Sequence, residues 1–360
     1  MRDRTILIRN VYYMLAYALR ALHQREYADL AAEEFANVHD LFAAILSKGL
    51  SRQLKQGLYR EYVTESGELP VLRGKLDVMG TASARMARRQ LVSCEFDEFS
   101  EDNEVNCIIR SACITLARHG RVDERRRMEL MAHVRTLARI GDVDLREAHW
   151  GSVRLNRANR SYRLMLGVCE LLARGLLQSE SDGSMRLADY LGDEQMCRLY
   201  ERFVLEYYRQ EHSELSVSAA QVPWALDDGC DGMLPVMQTD ITLRRGQHTL
   251  IIDAKFYAHN TQGHFGVHTV HSANLYQIFT YVKNEQARLG HSHEVSGMLL
   301  YACTDEGAQP GGSYRMSGSR IGVRTLDLNR DFSEIVAQLD ELAERYLVEE
   351  VGDSLGSHRS

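Results

Sequence analysis

Asp240-Ile241-Thr242-Leu243-Arg244-Arg245-Gly246-Gln247-His248-Thr249-Leu250-Ile251-Ile252-Asp253-Ala254-Lys255 is the stretch from which the rest of this 360-residue chain can be read. β-Branched and apolar residues flank Arg245-Gly246, a pair suited to a two-residue turn with positive φ, so the stretch predicts a β-hairpin. With Arg245 and Gly246 as the loop, Asp240 faces Ile251. The two-residue period of a strand then puts Asp240, Ile251, Asp253 and Lys255 on one face. The other face takes Ile241, Leu243, Leu250, Ile252 and Ala254, wholly apolar as a sheet packed on a core requires. In this register the carboxylates are diagonal neighbours, roughly 7–8 Å apart, within reach of one cation.

Two carboxylates with an open coordination sphere suit Mg²⁺, which keeps several waters and accepts phosphate oxygens as further ligands. Such a cation can activate water, and an ammonium beside it can orient that water or stabilise developing charge, the parts that phosphodiester hydrolysis needs. Asp240 and Asp253 are the candidate metal ligands. A bare Asp-x-Lys tripeptide also describes an ordinary surface salt bridge, so context decides. Of 43 Lys plus Arg residues only five are lysine, at 48, 55, 75, 255 and 283. In a chain that writes its positive charge as arginine, Lys255 supplies something arginine does not, a compact and titratable ammonium.

Downstream, residues 273–283 predict a helix with Gln277 and Tyr281 one turn apart on one face. The order Asp240, Asp253-Ala254-Lys255, Gln277-x-x-x-Tyr281 resembles the PD-(D/E)xK nuclease superfamily. More narrowly the chain is similar to the McrC family, nuclease subunits of McrBC restriction systems that attack DNA containing modified cytosine. Further carriers are Ile8-Arg9-Asn10-Val11-Tyr12-Tyr13-Met14-Leu15, Arg73-Gly74-Lys75, Thr239-Asp240-Ile241-Thr242 and His271-Ser272-Ala273-Asn274-Leu275-Tyr276-Gln277. Gln238-Thr239 stands where the superfamily's proline would be, with Pro235 nearby. The resemblance implies an α/β/α nuclease core and catalytic Asp240, Asp253, Lys255, Gln277 and Tyr281. It also implies Mg²⁺ as cofactor, double-stranded DNA containing 5-methylcytosine as substrate, and a hetero-oligomer with a GTP-hydrolysing AAA+ subunit resembling McrB, whose hydrolysis this chain would stimulate.

Composition agrees with a globular, two-domain chain: 44% hydrophobic and 26% charged, with a formal net charge of −7. A protein that held DNA unaided would be basic, so much of the binding is expected to be delegated to the partner. No stretch reaches the ~18–20 apolar residues of a membrane span, which points to a cytoplasmic protein. Seven cysteines without Cys-x-x-Cys fit reduced thiols, and they count against the iron–sulfur cluster that Cas4-like or AddB-like nucleases would carry. No G-x-x-x-x-G-K-[ST] occurs, so the chain lacks the phosphate cradle of an NTPase.

The expected organisation is α/β (α+β): a mixed helix and strand partner-binding domain over 1–180, an α/β/α nuclease domain over 181–350 and a flexible tail over 351–360. Helices are expected over 10–23, capped by Asn10, and over 37–57, stopped by Gly57. Strands follow from Tyr59 to Asp77 with a turn at residues 65–68, then a loop at 82–89, then a helix from about Val105 behind the acidic run at 100–104. Arg73-Gly74-Lys75 reads either as a charged turn or as a contact with partner or DNA. Residues 110–174 hold 14 arginines against seven acidic residues, a surface suited to phosphate or a merely solvated helical face. Ser179–Ser184 reads as the interdomain linker.

Helix 193–209 opens the second domain, with Glu201 and Glu206 as candidates to assist the site and no spacing to choose between them. Strands near 215–217, 297–302 and 321–326 and a helix at 331–347 complete it. His259, His264, His268 and His271 resemble a zinc cluster only loosely, lacking paired cysteines or carboxylates; His271 reads better as a helix cap or DNA contact. Two other readings are a non-cutting regulatory adaptor of an AAA+ motor and a stand-alone DNA-repair exonuclease.

Overall fold

The structure is a computed structural model that describes residues 6–22, 24–151, 153–179, 185–187, 191–257, 259–264 and 267–347. In chain order the helices are α1 (Ile8–Ala18), α2 (Val38–Gln56), α3 (Val78–Met86), α4 (Glu104–His119), α5 (Glu124–Thr136), α6 (Arg163–Leu171), α7 (Asp193–Glu211), α8 (Ser272–Leu289) and α9 (Phe332–Leu347). The strands are β1 (Glu61–Leu69), β2 (Lys75–Leu76), β3 (Val92–Ser100), β4 (Leu177–Ser179), β5 (Met185–Leu187), β6 (Ser216–Ser218), β7 (Gln221–Val222), β8 (Met237–Gln238), β9 (Ile241–Arg245), β10 (His248–Lys255), β11 (Gln262–His264), β12 (Val267–Thr269), β13 (Glu294–Ala302), β14 (Gly312–Met316) and β15 (Ser319–Leu326). The mixed helix and strand content is the α/β class expected. Among the described residues no helix is long and apolar enough to cross a membrane.

The chain divides into two compact units, one within Met1–His23, Ala31–Phe35 and Tyr190–Ser360, the other within Gln24–Leu30 and Ala36–Asp189. This corrects the expected boundary after residue 180 and, more substantially, the placement of the first helix. α1 joins the later unit because its aromatic stripe packs there: Tyr13 stacks on Phe332 at 3.9 Å between ring centroids, and Tyr17 meets Phe203 and Tyr207. Asn10 is not a cap. Leu7 holds that position, and the buried Asn10 amide donates to the carbonyls of Leu328 and Arg330 at 2.8 and 2.7 Å. Of the expected linker only Ser179 is described, and the tail at 351–360 lies outside the described residues.

In the 36–189 unit α2 forms as predicted, with Asn37 accepting from the His39 and Asp40 N–H groups and Gly57 ending it at φ +92°. Residues 65–68 do not turn; they continue β1, which pairs antiparallel with β3 from Glu61↔Ser100 to Leu69↔Val92. The expected loop at 82–89 is largely helix α3, capped by Asp77, whose carboxylate accepts from the Gly80 N–H. Gly74 has φ +69°, and a Cβ there would meet the Glu95 carbonyl oxygen at 2.4 Å, so glycine is required where β2 joins β3. The basic surplus of 110–174 is partly spent in ion pairs, Arg110 with Asp142, Arg125 with Glu129 and Arg146 with Asp144. Arg118, Arg135, Arg139, Arg154, Arg157 and Arg160 stand exposed.

The other unit is built on a six-stranded sheet in the order β14-β15-β13-β10-β9-β6. β10, β13 and β15 run parallel, which demands crossovers, and α8 supplies the one from β10 to β13. α8 covers one face, where Gly297 leaves room for Ile278 and Val282. On the other face Gly322 lies under the Tyr346 hydroxyl of α9, and α7 also packs there. A parallel sheet sandwiched this way is buried on both sides, so the polar residues that remain inside it are informative.

Candidate active site

The hairpin forms, but its turn is Gly246-Gln247, with Gly246 at φ +57°, rather than Arg245-Gly246. Arg245 pairs with His248 and Ile241 with Ile252, two residues away from the expected register. An even shift preserves the set of side chains on each face. Extending the register by one pair puts Asp240 directly across from Asp253 rather than diagonal to it. Glycine takes the position of positive φ because only it does so without strain.

Asp240 sits between β8 and β9, held from both sides. The buried Thr239 hydroxyl accepts from the Ala220 N–H at 3.1 Å and lies 2.8 Å from the Thr242 hydroxyl. Asp240 Oδ2 accepts the Ala254 N–H at 2.9 Å, which ties the first carboxylate to the strand carrying the second. Asp253 is 1% exposed, and neither of its oxygens has a hydrogen bond of good geometry. Its ionic neighbour is Lys255, whose Nζ lies 2.8 Å from Oδ2, close enough for a strong ion pair but off the line of a hydrogen bond. Burial raises the pKa of Asp253 and of Asp240, with Lys255 opposing. For Lys255 burial favours the neutral amine, but Asp253 and Asp240 outweigh it and raise the pKa, so the ammonium persists.

From the α8 wall Gln277 Oε1 accepts from Lys255 Nζ at 3.5 Å, a long contact, while Gln277 Nε2 donates to the Tyr281 hydroxyl at 2.9 Å. α8 is clamped over this face by Glu285, buried between Arg244 of β9 at 2.9 Å and Arg288 at 2.7 Å. Asp240, Asp253, Lys255, Gln277 and Tyr281 are thus brought into one cluster at the C-terminal end of β10.

Two glutamates of α7 were open candidates, and the fold separates them. Glu201 is half-buried with its pKa pushed up to about 7, chiefly by burial, then by Asp240 nearby. Glu206 is fully buried away from these groups, bonded to Arg20 at 2.6 Å and Arg209 at 2.8 Å. One turn before Glu201 the Cys197 thiol donates to the Phe256 carbonyl at 2.9 Å, docking this stretch of α7 beside the end of β10. The sequence reading missed Tyr257, Asn274 and Tyr301. The Tyr257 hydroxyl donates to Asn274 Oδ1 at 3.3 Å, and Asn274 Nδ2 donates to the Tyr301 hydroxyl at 3.0 Å. Tyr301 pairs with Lys255 across the parallel ladder. The register of β13 on β10 would have found Tyr301, and it is not written in either strand alone.

Of these histidines the two whose side chains are described, His259 and His271, do not form a ligand set. His259 is exposed and 3.4 Å from Glu306, and His271 bonds the His259 carbonyl at 3.3 Å. His271 occupies the cap position of α8 without a side-chain cap bond. The side chains of His264 and His268 lie outside the described residues. Among the described residues no three His, Cys, Asp or Glu side chains close around one point as a structural zinc site would. Two adjacent carboxylates, Asp240 half-buried and Asp253 buried with both oxygens lacking hydrogen bonds, instead fit a hard cation that keeps water in its remaining positions. All seven cysteines are free thiols.

Residues 3–302 match the family model described as McrBC 5-methylcytosine restriction system component. The chain is 27% identical over 351 residues to the type IV methyl-directed restriction enzyme EcoKMcrBC of Escherichia coli (strain K12), covering 96% of this chain and all of that one. In fold it is similar to a chain of the refined half-complex from a tetradecameric assembly of Thermococcus gammatolerans McrB AAA+ hexamers with bound McrC. That match has a TM-score of 0.50 and 18% identity and covers 92% of this chain and 76% of the other.

Proposed function

This chain belongs to the family of McrBC 5-methylcytosine restriction system components, and from that premise we propose that it is the subunit that cuts DNA. On this reading it is a Mg²⁺-dependent endodeoxyribonuclease, active as a hetero-oligomer with a GTP-hydrolysing AAA+ subunit like McrB and stimulating that subunit's hydrolysis. The observation that carries the proposal is the pairing of Asp253 with Asp240. A protein that only bound DNA or a motor would have no reason to set a buried and a half-buried carboxylate against a single ammonium, because taking surplus like charge out of water costs several kcal/mol.

Asp240 and Asp253 would hold the cation, and Glu201, whose pKa is raised by burial and then by Asp240, adds to the negative field beside them. When bound, Mg²⁺ supplies charge neutralisation at the scissile phosphate and lowers the pKa of water. The residues do the rest. Lys255, fixed by Asp253, presents an ammonium where a non-bridging phosphate oxygen or the attacking water would sit. Gln277 turns its amide oxygen to Lys255 and its N–H to Tyr281, which limits the directions in which the ammonium can swing. The net charge of −7 and the lack of an NTP-binding loop support leaving DNA delivery and base recognition to the partner.

The test is cleavage of methylated duplex by the chain assembled with its McrB-like partner, GTP and Mg²⁺. Asp253→Ala and Lys255→Ala are each expected to lower the rate at least about a hundredfold while leaving assembly intact. Undiminished cutting by Asp253→Ala would remove the basis for the proposal.

A further inference from the structure

At the opposite end of β10 from Lys255 lies a second feature that the cluster does not use. Seven residue steps of roughly 3.3 Å separate His248 from Lys255, about 23 Å along the strand. Around His248 opens a cleft of about 970 Å³. Four cations line it from four elements: Lys283 of α8, Arg315 of β14, Arg320 of β15 and Arg345 of α9. His291 and His293, in the turn between α8 and β13, add two more titratable donors. Glu294 is the one carboxylate among the described lining residues, and it is 3.3 Å from His248.

Four like charges gathered around one cleft repel one another unless something answers them. Helix capping accounts for Arg345, which sits in the last turn of α9. It does not account for Arg315 and Arg320, which come from neighbouring strands and pair across the β14–β15 ladder. Two of the four are positioned from behind. Lys283 Nζ donates to the Ser317 carbonyl and, at 3.0 Å, to the Ser319 hydroxyl. The Arg320 guanidinium lies 4.0 Å over the Tyr346 ring and donates to the Arg345 carbonyl at 3.2 Å. Arg315 and Arg345 are exposed at the rim.

We propose that this cleft binds a phosphate-bearing ligand, with Arg320 and Lys283 as the fixed cations and Arg315 and Arg345 closing on it from the rim. Guanidinium forks match phosphate bidentately, and a single phosphate can answer several of these cations at once. The lining is mainly polar, with Val295 and the Tyr346 ring as its apolar side chains, unlike the apolar centre of a protein–protein contact. The volume is that of a nucleotide-sized site. The phosphate chemistry is common to a free nucleotide and to a segment of DNA backbone. Neither source requires the nuclease reading.

The experiment titrates the full-length chain with inorganic phosphate and with GTP by calorimetry, and with a short fluorescent duplex by anisotropy. It compares wild type with the Arg315→Ser/Arg345→Ser pair, both exposed and therefore tolerant of substitution. Loss of two charge-assisted contacts is expected to weaken the bound ligand about tenfold or more. The Arg315→Lys/Arg345→Lys pair, which keeps charge without the fork, is expected to fall between. Weakened phosphate and GTP binding would identify a small phosphate ligand, and weakened duplex binding alone would identify DNA backbone. If wild type binds none of the three, or the serine pair binds all three like wild type, the proposal is wrong.

Discussion

Glu201 and Glu206 lie on the same helix, α7, yet their carboxyl groups are shifted in opposite directions: Glu201 upward to about 7, Glu206 downward. Five residues at about 100° each turn the two side chains roughly 140° apart. One meets the carboxylates of the candidate active site. The other meets Arg20, in the turn after α1, and Arg209.

For Glu201 the raised value means that the folded protein holds its proton more tightly than the unfolded chain. Its contribution to stability is full below the ordinary value of 4.5 and is lost as pH rises to about 7. In metal-free buffer Glu201→Gln and wild type should melt together at about pH 4.5, with the variant increasingly the more stable up to about pH 7. Thermal melts across that window check this, and parallel curves would separate Glu201 from the acidic cluster.

Glu206 behaves in the reverse sense. Burial alone would raise its pKa, but the hydrogen bonds from Arg20 and Arg209 outweigh that and lower it. Its contribution is present above the ordinary carboxyl value and is lost as pH falls through the lowered one. Arg20→Ala removes a half-exposed partner and leaves the buried charge to Arg209, at a cost of roughly 1–2 kcal/mol. Urea titration at neutral pH measures this, and the deficit should shrink in acid as Glu206 protonates. A deficit that persists unchanged in acid would assign the effect to lost packing of α1 instead.

Asp253 is a stability liability when no cation is bound, since both oxygens are buried without hydrogen bonds and Lys255 only partly offsets the burial that raises its pKa. Asp253→Asn should therefore melt about 2–4 °C higher than wild type in chelator. Adding Mg²⁺ should raise the wild-type melting temperature and leave the variant unchanged, because a ligand stabilises only the state that binds it. An equal Mg²⁺ response in both proteins would place the cation elsewhere.

Separation of labour gives a further expectation. Asp240→Asn, assembled with the McrB-like partner, should lose DNA cleavage while GTP hydrolysis by that partner stays within about twofold of its stimulated rate. The isolated wild-type chain should bind methylated and unmethylated duplexes alike, with affinity falling steeply as salt rises. Parallel GTPase, cleavage and binding assays decide it. Methyl-selective cutting by the chain alone would overturn the division.

The hairpin, its two faces and the amphipathic runs of α2, α7, α8 and α9 were legible in the linear chain because periodicity and turn chemistry are local properties. So was the grouping of Asp240, Asp253 and Lys255, since a register slip of two residues leaves strand parity untouched. What was not legible depends on partners distant in sequence. Asn10 looked like a cap until Leu328 and Arg330 supplied carbonyls for its amide. The assignment of α1 to the later unit rests on Tyr13 and Tyr17 finding Phe332 and Phe203. Residues 65–68 looked like a turn until β3 offered a ladder that keeps them extended. The choice of Glu201 over Glu206 required knowing where Arg20 lies. Local pattern determined which elements form and which residues share a face; tertiary contact decided which carboxylates gather around the single ammonium of Lys255 with their pKa raised by burial and which are neutralised by arginines, and that is the property on which the candidate chemistry rests.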